Sequence, residues 1–325
     1  MGYYSFSQAT QFPTILSLGY NGQEYEIYAE PGKIVTIDIQ EEILVFQGDL
    51  MEENKHLLEE KTMSEEINIY LGQYWSRLHK MKLISFEIQV DSLKGLYLDY
   101  MEKNPNLSMA FKTLNKASVD YAFNRMLLRY PIFHQRFTGE EVSIPEARRA
   151  ALRQTLDHRP YADLASYQKF VQTWIDLEVE QLMKTNKDQS VYTGLIKTTK
   201  TLDLLPQLFT NQELIEQWSF KVIQAHIEQH TWLNGKTLLE TLEAKCCQSE
   251  KVKSEVQAYK KQILKKRASL ETVVYTTKKG FQLEAYIFRP ANFDPAKKYA
   301  ALAAFHGGGW IVGDASFTIS SAEHA

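Results

Sequence analysis

Short runs of β-branched and aromatic residues, separated by turn signals, fill residues 1–50 of the chain. Asn21-Gly22 and Pro31-Gly32 stand between these runs, and both dipeptides favour tight turns. The runs are Thr14 to Leu18, Glu24 to Tyr28, Ile34 to Ile39 and Leu44 to Phe46. This pattern predicts one small antiparallel sheet at the start of the chain.

Residues 51–267 are helical in character, because their apolar positions recur every three or four residues. Asp49, with Glu52 three residues later, matches a capping box at the start of the first helix. We expect the last helix at about Thr237 to Arg267, where the basic end suits a helix C-terminus followed by a linker. One buried helical face is predicted from Leu164, Tyr167, Phe170, Val171, Trp174 and Leu182.

Aromatic residues are frequent in the helical part, and they are compatible either with a ligand groove or with packing between helices. We expect packing, since an aromatic stripe at helical spacing usually faces a core. These residues are Tyr97, Tyr100, Phe111, Tyr121, Phe123, Tyr130 and Phe133. The acidic pairs are interpreted as solvated helix ends and faces, and they are Glu59-Glu60, Glu65-Glu66 and Glu140-Glu141.

The length, composition and net charge of the chain limit the number of domains and the kinds of binding partner that we expect. A chain of 325 residues usually holds about two domains, and 44% hydrophobic with 24% charged residues is ordinary for a globular protein. The net charge of −3 gives no electrostatic reason to expect nucleic acid or an anionic membrane. No apolar run approaches the ~20 residues of a transmembrane helix, and the start has no basic and apolar signal-peptide pattern.

The sequence contains no recognisable motif for metal binding or for redox chemistry. Cys246 and Cys247 are adjacent, which suits neither a C-x-x-C redox pair nor a zinc site, and we interpret both as structural. The eight histidines form no H-E-x-x-H pattern. We therefore predict no cofactor and no metal, and an oxidoreductase is disfavoured.

The last part, residues 268–325, carries the clearest chemical motif. Leu270 to Tyr275 and Phe281 to Phe288 are predicted as an antiparallel pair of strands, closed by Arg289-Pro290. The apolar run Tyr299 to Phe305 is predicted as a buried strand, and it leads directly into His306-Gly307-Gly308-Gly309-Trp310. Three successive glycines suit a main chain that approaches another group closely, either a phosphate or an oxyanion.

The spacing of the glycines distinguishes a phosphate-binding loop from an oxyanion-binding loop. A dinucleotide fingerprint counted from Gly307 would need glycine where Val312 stands, and the Gly-Lys-Ser/Thr of a P-loop is absent. The His-Gly-Gly-Gly-Trp motif after an apolar run resembles the oxyanion motif of α/β-hydrolases, particularly the hormone-sensitive-lipase-like esterases. This resemblance spans Leu270 to Ala325. It implies that the N–H groups of Gly308 and Gly309 bind the oxyanion and that His306 supports the loop.

The remaining catalytic parts of that family are missing from this sequence. The family places a G-x-S-x-G nucleophile elbow and then an acid and a histidine after the oxyanion loop. No G-x-S-x-G occurs in the chain, and His324 is the only histidine after the motif. We therefore expect the sequence to stop inside the hydrolase domain, and we expect the 325-residue chain to be inactive.

The N-terminal part has a second resemblance. Ala29 to Ile37, then Phe46-Gln47-Gly48-Asp49 and Asn54, followed by helices, resemble the module that precedes the thioredoxin domain in exported Bacteroidota thiol-disulfide oxidoreductases. The resemblance covers about residues 12 to 265. It implies an accessory or binding domain in the periplasm or at the cell surface, with a signal peptide lost from this chain.

The predicted fold class is an α+β accessory domain, a small antiparallel sheet and then helices, followed by the truncated start of an α/β-hydrolase fold. The predicted boundaries are 1–50, 51–267 and 268–325. The predicted function of the full-length protein is hydrolysis of small-molecule carboxylic esters by a serine hydrolase, although peptidases and lactonases share the fold. The alternative is a non-catalytic cell-envelope binding or scaffold module. The sequence indicates no oligomeric state.

Overall fold

The structure is a computed structural model that describes residues 12–40, 43–184, 193–229, 232–245, 249–268, 271–276, 282–287, 289 and 293–300. The chain divides between Asp176 and Leu177 into two compact units, here called the first unit and the second unit. The domain boundaries expected near residues 50 and 267 stay predictions.

Two β-hairpins open the first unit. Strands β1 (Thr14–Tyr20) and β2 (Gln23–Ala29) form one antiparallel pair, and β3 (Val35–Gln40) and β4 (Ile43–Gly48) form another. The strands were predicted at nearly these positions, but the expected single sheet is wrong, since no hydrogen-bonded ladder joins the two described pairs. Instead the hairpins share an apolar cluster, whose buried members are Ile27, Leu44 and Phe46.

Gly48 ends β4 where the chain passes close to the residues before β3. Its φ of 96° is in the left-handed region, and a Cβ at this position would lie 2.8 Å from the carbonyl oxygen of Ile34. Both the dihedral and the close approach require glycine here. The turn directs the chain into the first helix.

Helices make up the rest of the first unit. They are α1 (Met51–Lys80), α2 (Leu83–Glu102), α3 (Met109–Thr138), α4 (Glu146–Arg153), a 3₁₀ turn (Arg159–Tyr161) and α5 (Ala165–Lys184), whose last residues belong to the second unit. Within this unit, the interhelical packing predicted for the aromatic residues is confirmed for Phe111, Tyr121, Phe123 and Tyr130, which are all buried. The predicted face of α5 is also buried, except for Leu182.

The capping box predicted at Asp49 is wrong. Helix α1 begins at Met51 after Leu50, and no side chain caps its first turn. The Asp49 carboxylate instead lies 3.9 Å from the Lys33 ammonium group. A different side chain, that of Asn54, bonds the carbonyl oxygen of Leu50 at 2.9 Å.

The second unit contains α6 (Thr193–Leu208), α7 (Gln212–Gln229), α8 (Trp232–Lys245), α9 (Glu250–Ala268), β5 (Glu271–Thr276) and β6 (Gln282–Ile287). The single helix predicted at Thr237 to Arg267 is therefore wrong, since α8 and α9 are separate. The N–H of Ser249, just before α9, donates to the buried carboxylate of Glu216 at 2.8 Å. This bond supplies one of the acceptors that the start of a helix lacks.

The predicted fold class is also wrong. The described residues form nine α-helices and three two-stranded antiparallel sheets, so the architecture is dominated by helices and not by an α/β-hydrolase-type sheet. The physical reason is that a parallel sheet needs strands joined by crossover helices, whereas every described strand here pairs with its neighbour through a hairpin. Helical periodicity governs most of the remaining chain.

Candidate functional site

The predicted oxyanion residues His306, Gly308 and Gly309 lie outside the described residues, as do Cys246 and Cys247. The predicted strand from Tyr299 to Phe305 is described only at its first two residues, neither of which is in a strand. The structure therefore describes the segment that leads toward the motif and not the motif itself.

The predicted pair of strands before the motif is confirmed. Strands β5 and β6 pair in an antiparallel register that places Glu271 opposite Ile287. Arg289 closes this hairpin with two hydrogen bonds to the Glu271 carboxylate, one from Nε and one from Nη2 to Oε1 at 2.6 Å. These bonds from Arg289 hold the pKa of Glu271 below its ordinary value. Two parallel bonds from one guanidinium fix the geometry of the strand ends.

The loop after Arg289 is held by a local network. The guanidinium of Arg289 lies 4.3 Å from the ring centre of Phe293, and that ring is 5.0 Å from the ring of Tyr299. The Tyr299 hydroxyl accepts the N–H of Asp294 at 2.8 Å, and the Asp294 carboxylate accepts the N–H of Ala296 at 3.0 Å. The network orders the chain up to the point where the predicted strand begins.

A groove between α1 and α2 in the first unit is a second candidate site, and it was not predicted from the sequence. It has a volume of about 180 Å³ and is here called the α1–α2 groove. Its lining residues are Tyr70, Leu71, Tyr74, Arg77, Leu78, Met81, Gln89 and Leu93. The sequence signal that could have found it is the pair Tyr70 and Tyr74, which lie one helical turn apart on α1.

The lining of the groove combines apolar and polar side chains. The rings of Tyr70 and Tyr74 are 4.7 Å apart at a 40° tilt, and these side chains are 49% and 40% exposed. Leu78, which also lines the groove, is buried. Arg77 is exposed and forms no hydrogen bond or ion pair with any described residue, so its guanidinium is available to a ligand.

Two buried histidines are structural. His56 lies under a stacked Tyr100 ring, and its Nε2 is 3.5 Å from a Glu60 oxygen that also accepts from Asn115 at 2.7 Å. Glu60 is thus part of a core network and not the solvated residue that was predicted. His79 is enclosed by aromatic rings, and burial lowers its pKa, so it is neutral and its Nδ1–H donates to the carbonyl oxygen of Trp75 at 2.9 Å.

Among the residues that the structure describes, no group of three or more histidine, cysteine or acidic side chains could hold a metal ion. None of the described helices is long and apolar enough to cross a lipid bilayer. Comparisons with protein-family models, with curated proteins and with solved structures gave no match.

Proposed function

We propose that this chain contributes the oxyanion-binding loop of a serine hydrolase that cleaves small-molecule carboxylic esters. The observation that carries the proposal is the sequence His306-Gly307-Gly308-Gly309-Trp310 directly after an apolar run. The hairpin β5–β6 and the network around Tyr299 support it, because the resemblance includes an antiparallel pair of strands before the motif and the network fixes the chain at the start of the apolar run.

The chemistry follows from where charge develops. A serine oxygen attacks the ester carbonyl, a histidine accepts the serine proton, and an acid orients that histidine. The carbonyl oxygen becomes negatively charged, and the N–H groups of Gly308 and Gly309 donate to it. Loss of one such donor typically lowers the rate by about 10² to 10³.

The nucleophile of this proposal lies outside the present sequence, which contains no G-x-S-x-G. We expect the 325-residue chain alone to be inactive toward esters. An envelope location, in the periplasm or at the cell surface, is proposed only from the resemblance of residues 12 to 265.

The first test is to sequence the source DNA on both sides of this reading frame. Continuation of the frame into a G-x-S-x-G, followed by an acid and a histidine, is the expected result. A stop directly after Ala325 would overturn the proposal, and the function would then lie in the helical part, as a binding or scaffold module.

The second test uses the extended protein. We expect turnover of an activated nitrophenyl ester and stoichiometric labelling by a fluorophosphonate. The Gly308→Ala and Gly309→Ala variants should lower kcat more than they change KM, while Gly313→Ala, outside the motif, serves as the matched control. Equal activity of all three variants, or stoichiometric labelling of the 325-residue chain, would contradict the assignment.

A further inference from the structure

We propose that the α1–α2 groove binds a small monocarboxylate whose apolar body is about the size of one six-membered ring. Arg77 binds the carboxylate, and the apolar lining residues with the rings of Tyr70 and Tyr74 bind the body. This site is independent of the proposed hydrolase chemistry, because it lies in the first unit and shares no residue with the oxyanion motif.

The size of the ligand follows from the volume of the groove. A cavity of about 150 Å³ lined by apolar side chains accepts one benzene molecule. The volume here is about 180 Å³, which leaves room for a ring and a short polar group. The apolar residues of the lining are Leu71, Leu78, Met81 and Leu93, and they favour a ligand whose body is apolar.

The charge of the ligand follows from Arg77. Some basic side chains of the first unit are already paired, such as Lys94 with Asp120 and Arg148 with Glu87 at 3.4 Å, and Arg77 is the basic side chain among the residues that line the groove. Arg77 has no such partner among the described residues, and a guanidinium presents two parallel donors that match a carboxylate. Glu66, an acidic residue on the same helix, lies about three turns away, roughly 16 Å along the axis.

The other polar groups favour a monoanion. The Tyr70 and Tyr74 hydroxyls and the Gln89 amide are neutral donors, and Gln89 approaches from the opposite helix. The single guanidinium balances one negative charge, and the neutral groups can donate hydrogen bonds to the same anion. A phosphate dianion would retain an uncompensated charge, so a carboxylate fits the set better.

The turn between α1 and α2, where Met81 lines the groove, is held in place without a ligand. The N–H of Met81 donates to the carbonyl oxygen of Leu78 at 3.2 Å, and the carbonyl oxygen of Met81 accepts the buried Tyr130 hydroxyl at 2.9 Å. The turn between α1 and α2 is therefore fixed to α3. A preformed site loses less conformational entropy when its ligand binds.

The experiment titrates the 325-residue chain with 3-phenylpropionate by calorimetry, with 3-phenylpropanol as the neutral ligand of the same shape. We expect saturable one-site binding of the acid and binding of the alcohol weaker by about tenfold or more. Arg77→Gln should weaken the acid by about tenfold or more, and Arg136→Gln, an exposed arginine on α3, should leave its affinity unchanged.

A second variant fills the groove and keeps the charge. Leu93→Trp should abolish binding of the acid while circular dichroism shows unchanged helix content. The proposal is overturned if the alcohol binds as tightly as the acid, if acetate binds as tightly as 3-phenylpropionate, if the two arginine variants behave alike, or if Leu93→Trp binds normally. Absence of binding up to about 10 mM would also overturn it.

Discussion

Gly235 of α8 lies directly against Ile227 of α7. A Cβ built on Gly235 would be 2.1 Å from Cγ1 of Ile227, a distance that no real Cβ contact shows. Gly95, inside α2, has nothing within 4 Å of the corresponding position. The same residue type therefore has opposite consequences at two helical positions.

Gly235→Ala should lower the free energy of unfolding by about 1–3 kcal/mol, because Ile227 must move in a packed core. Gly95→Ala should raise it by about 0.5–1 kcal/mol, because alanine loses less backbone entropy in a helix and meets no neighbour here. Urea denaturation of both variants measures the difference. Changes of the same sign in the two variants would contradict the packing described for α7 and α8.

Sequence reasoning could not have separated these two glycines. Each lies inside a helical pattern, and the neighbour that distinguishes them, Ile227, belongs to another helix in one case and is absent in the other. Arg77 is a similar case. An arginine on an exposed helical face is ordinary in sequence, and only the second helix shows that it borders a groove. The roles of these residues depend on contacts between different helices, which the sequence does not reveal.

The buried side chain of Asn54 connects helix α1 to strand β2. Asn54 Oδ1 accepts the N–H of Tyr28 at 2.8 Å, and Nδ2 donates to the carbonyl oxygens of Tyr28 at 3.0 Å and Leu50 at 2.9 Å. Asn54 is fully buried. It thus satisfies the backbone of Tyr28 as a neighbouring strand would.

Asn54→Ala should lower the free energy of unfolding by about 2–4 kcal/mol, because the N–H and C=O of Tyr28 would remain buried without partners. Asn54→Asp should also be destabilising, since a carboxylate accepts from the Tyr28 N–H but repels the two carbonyl oxygens. Thermal unfolding followed by circular dichroism measures both. The control is Asn106→Ala, an exposed asparagine, with an expected change within about 0.5 kcal/mol. A loss no larger for Asn54→Ala than for this control would refute the role of Asn54.

Elements were easier to predict than their arrangement. The turn signals Asn21-Gly22 and Pro31-Gly32 located the first strands, and helical periodicity located the buried face of α5, since both signals are local. Whether two hairpins form one sheet depends on packing between distant side chains, and this was predicted wrongly. The apolar run that begins at Tyr299 suggested a hydrolase sheet, but it carries no information about the helices that precede it.

Tyrosines with a raised pKa are concentrated in the first unit. Burial is the largest cause in each case, and a bond to Glu59 adds to it for Tyr100, whose pKa is raised to about 12. The affected residues are Tyr28, Tyr97, Tyr100, Tyr121, Tyr130 and Tyr167. Each prefers the neutral hydroxyl when the unit is folded.

The stability of the first unit should therefore fall as the pH rises above about 10, where the unfolded chain loses tyrosine protons that the folded chain retains. The contribution is fully present below the unfolded pKa and is lost as the pH rises through the folded values. We expect tyrosinate absorbance to rise in two steps, and the second step should coincide with loss of helical circular dichroism. Complete ionisation with the helices intact would contradict this.

The bond between Asn54 and Tyr28 also has a consequence for synthesis on the ribosome. The first hairpin ends at Ala29, but an isolated two-stranded hairpin is only marginally stable in water. Its buried partner, Asn54, is translated some 25 residues later, together with the first turn of α1. During synthesis the backbone of Tyr28 therefore gains its buried partner only when that turn leaves the exit tunnel, well before the rest of the unit has been made.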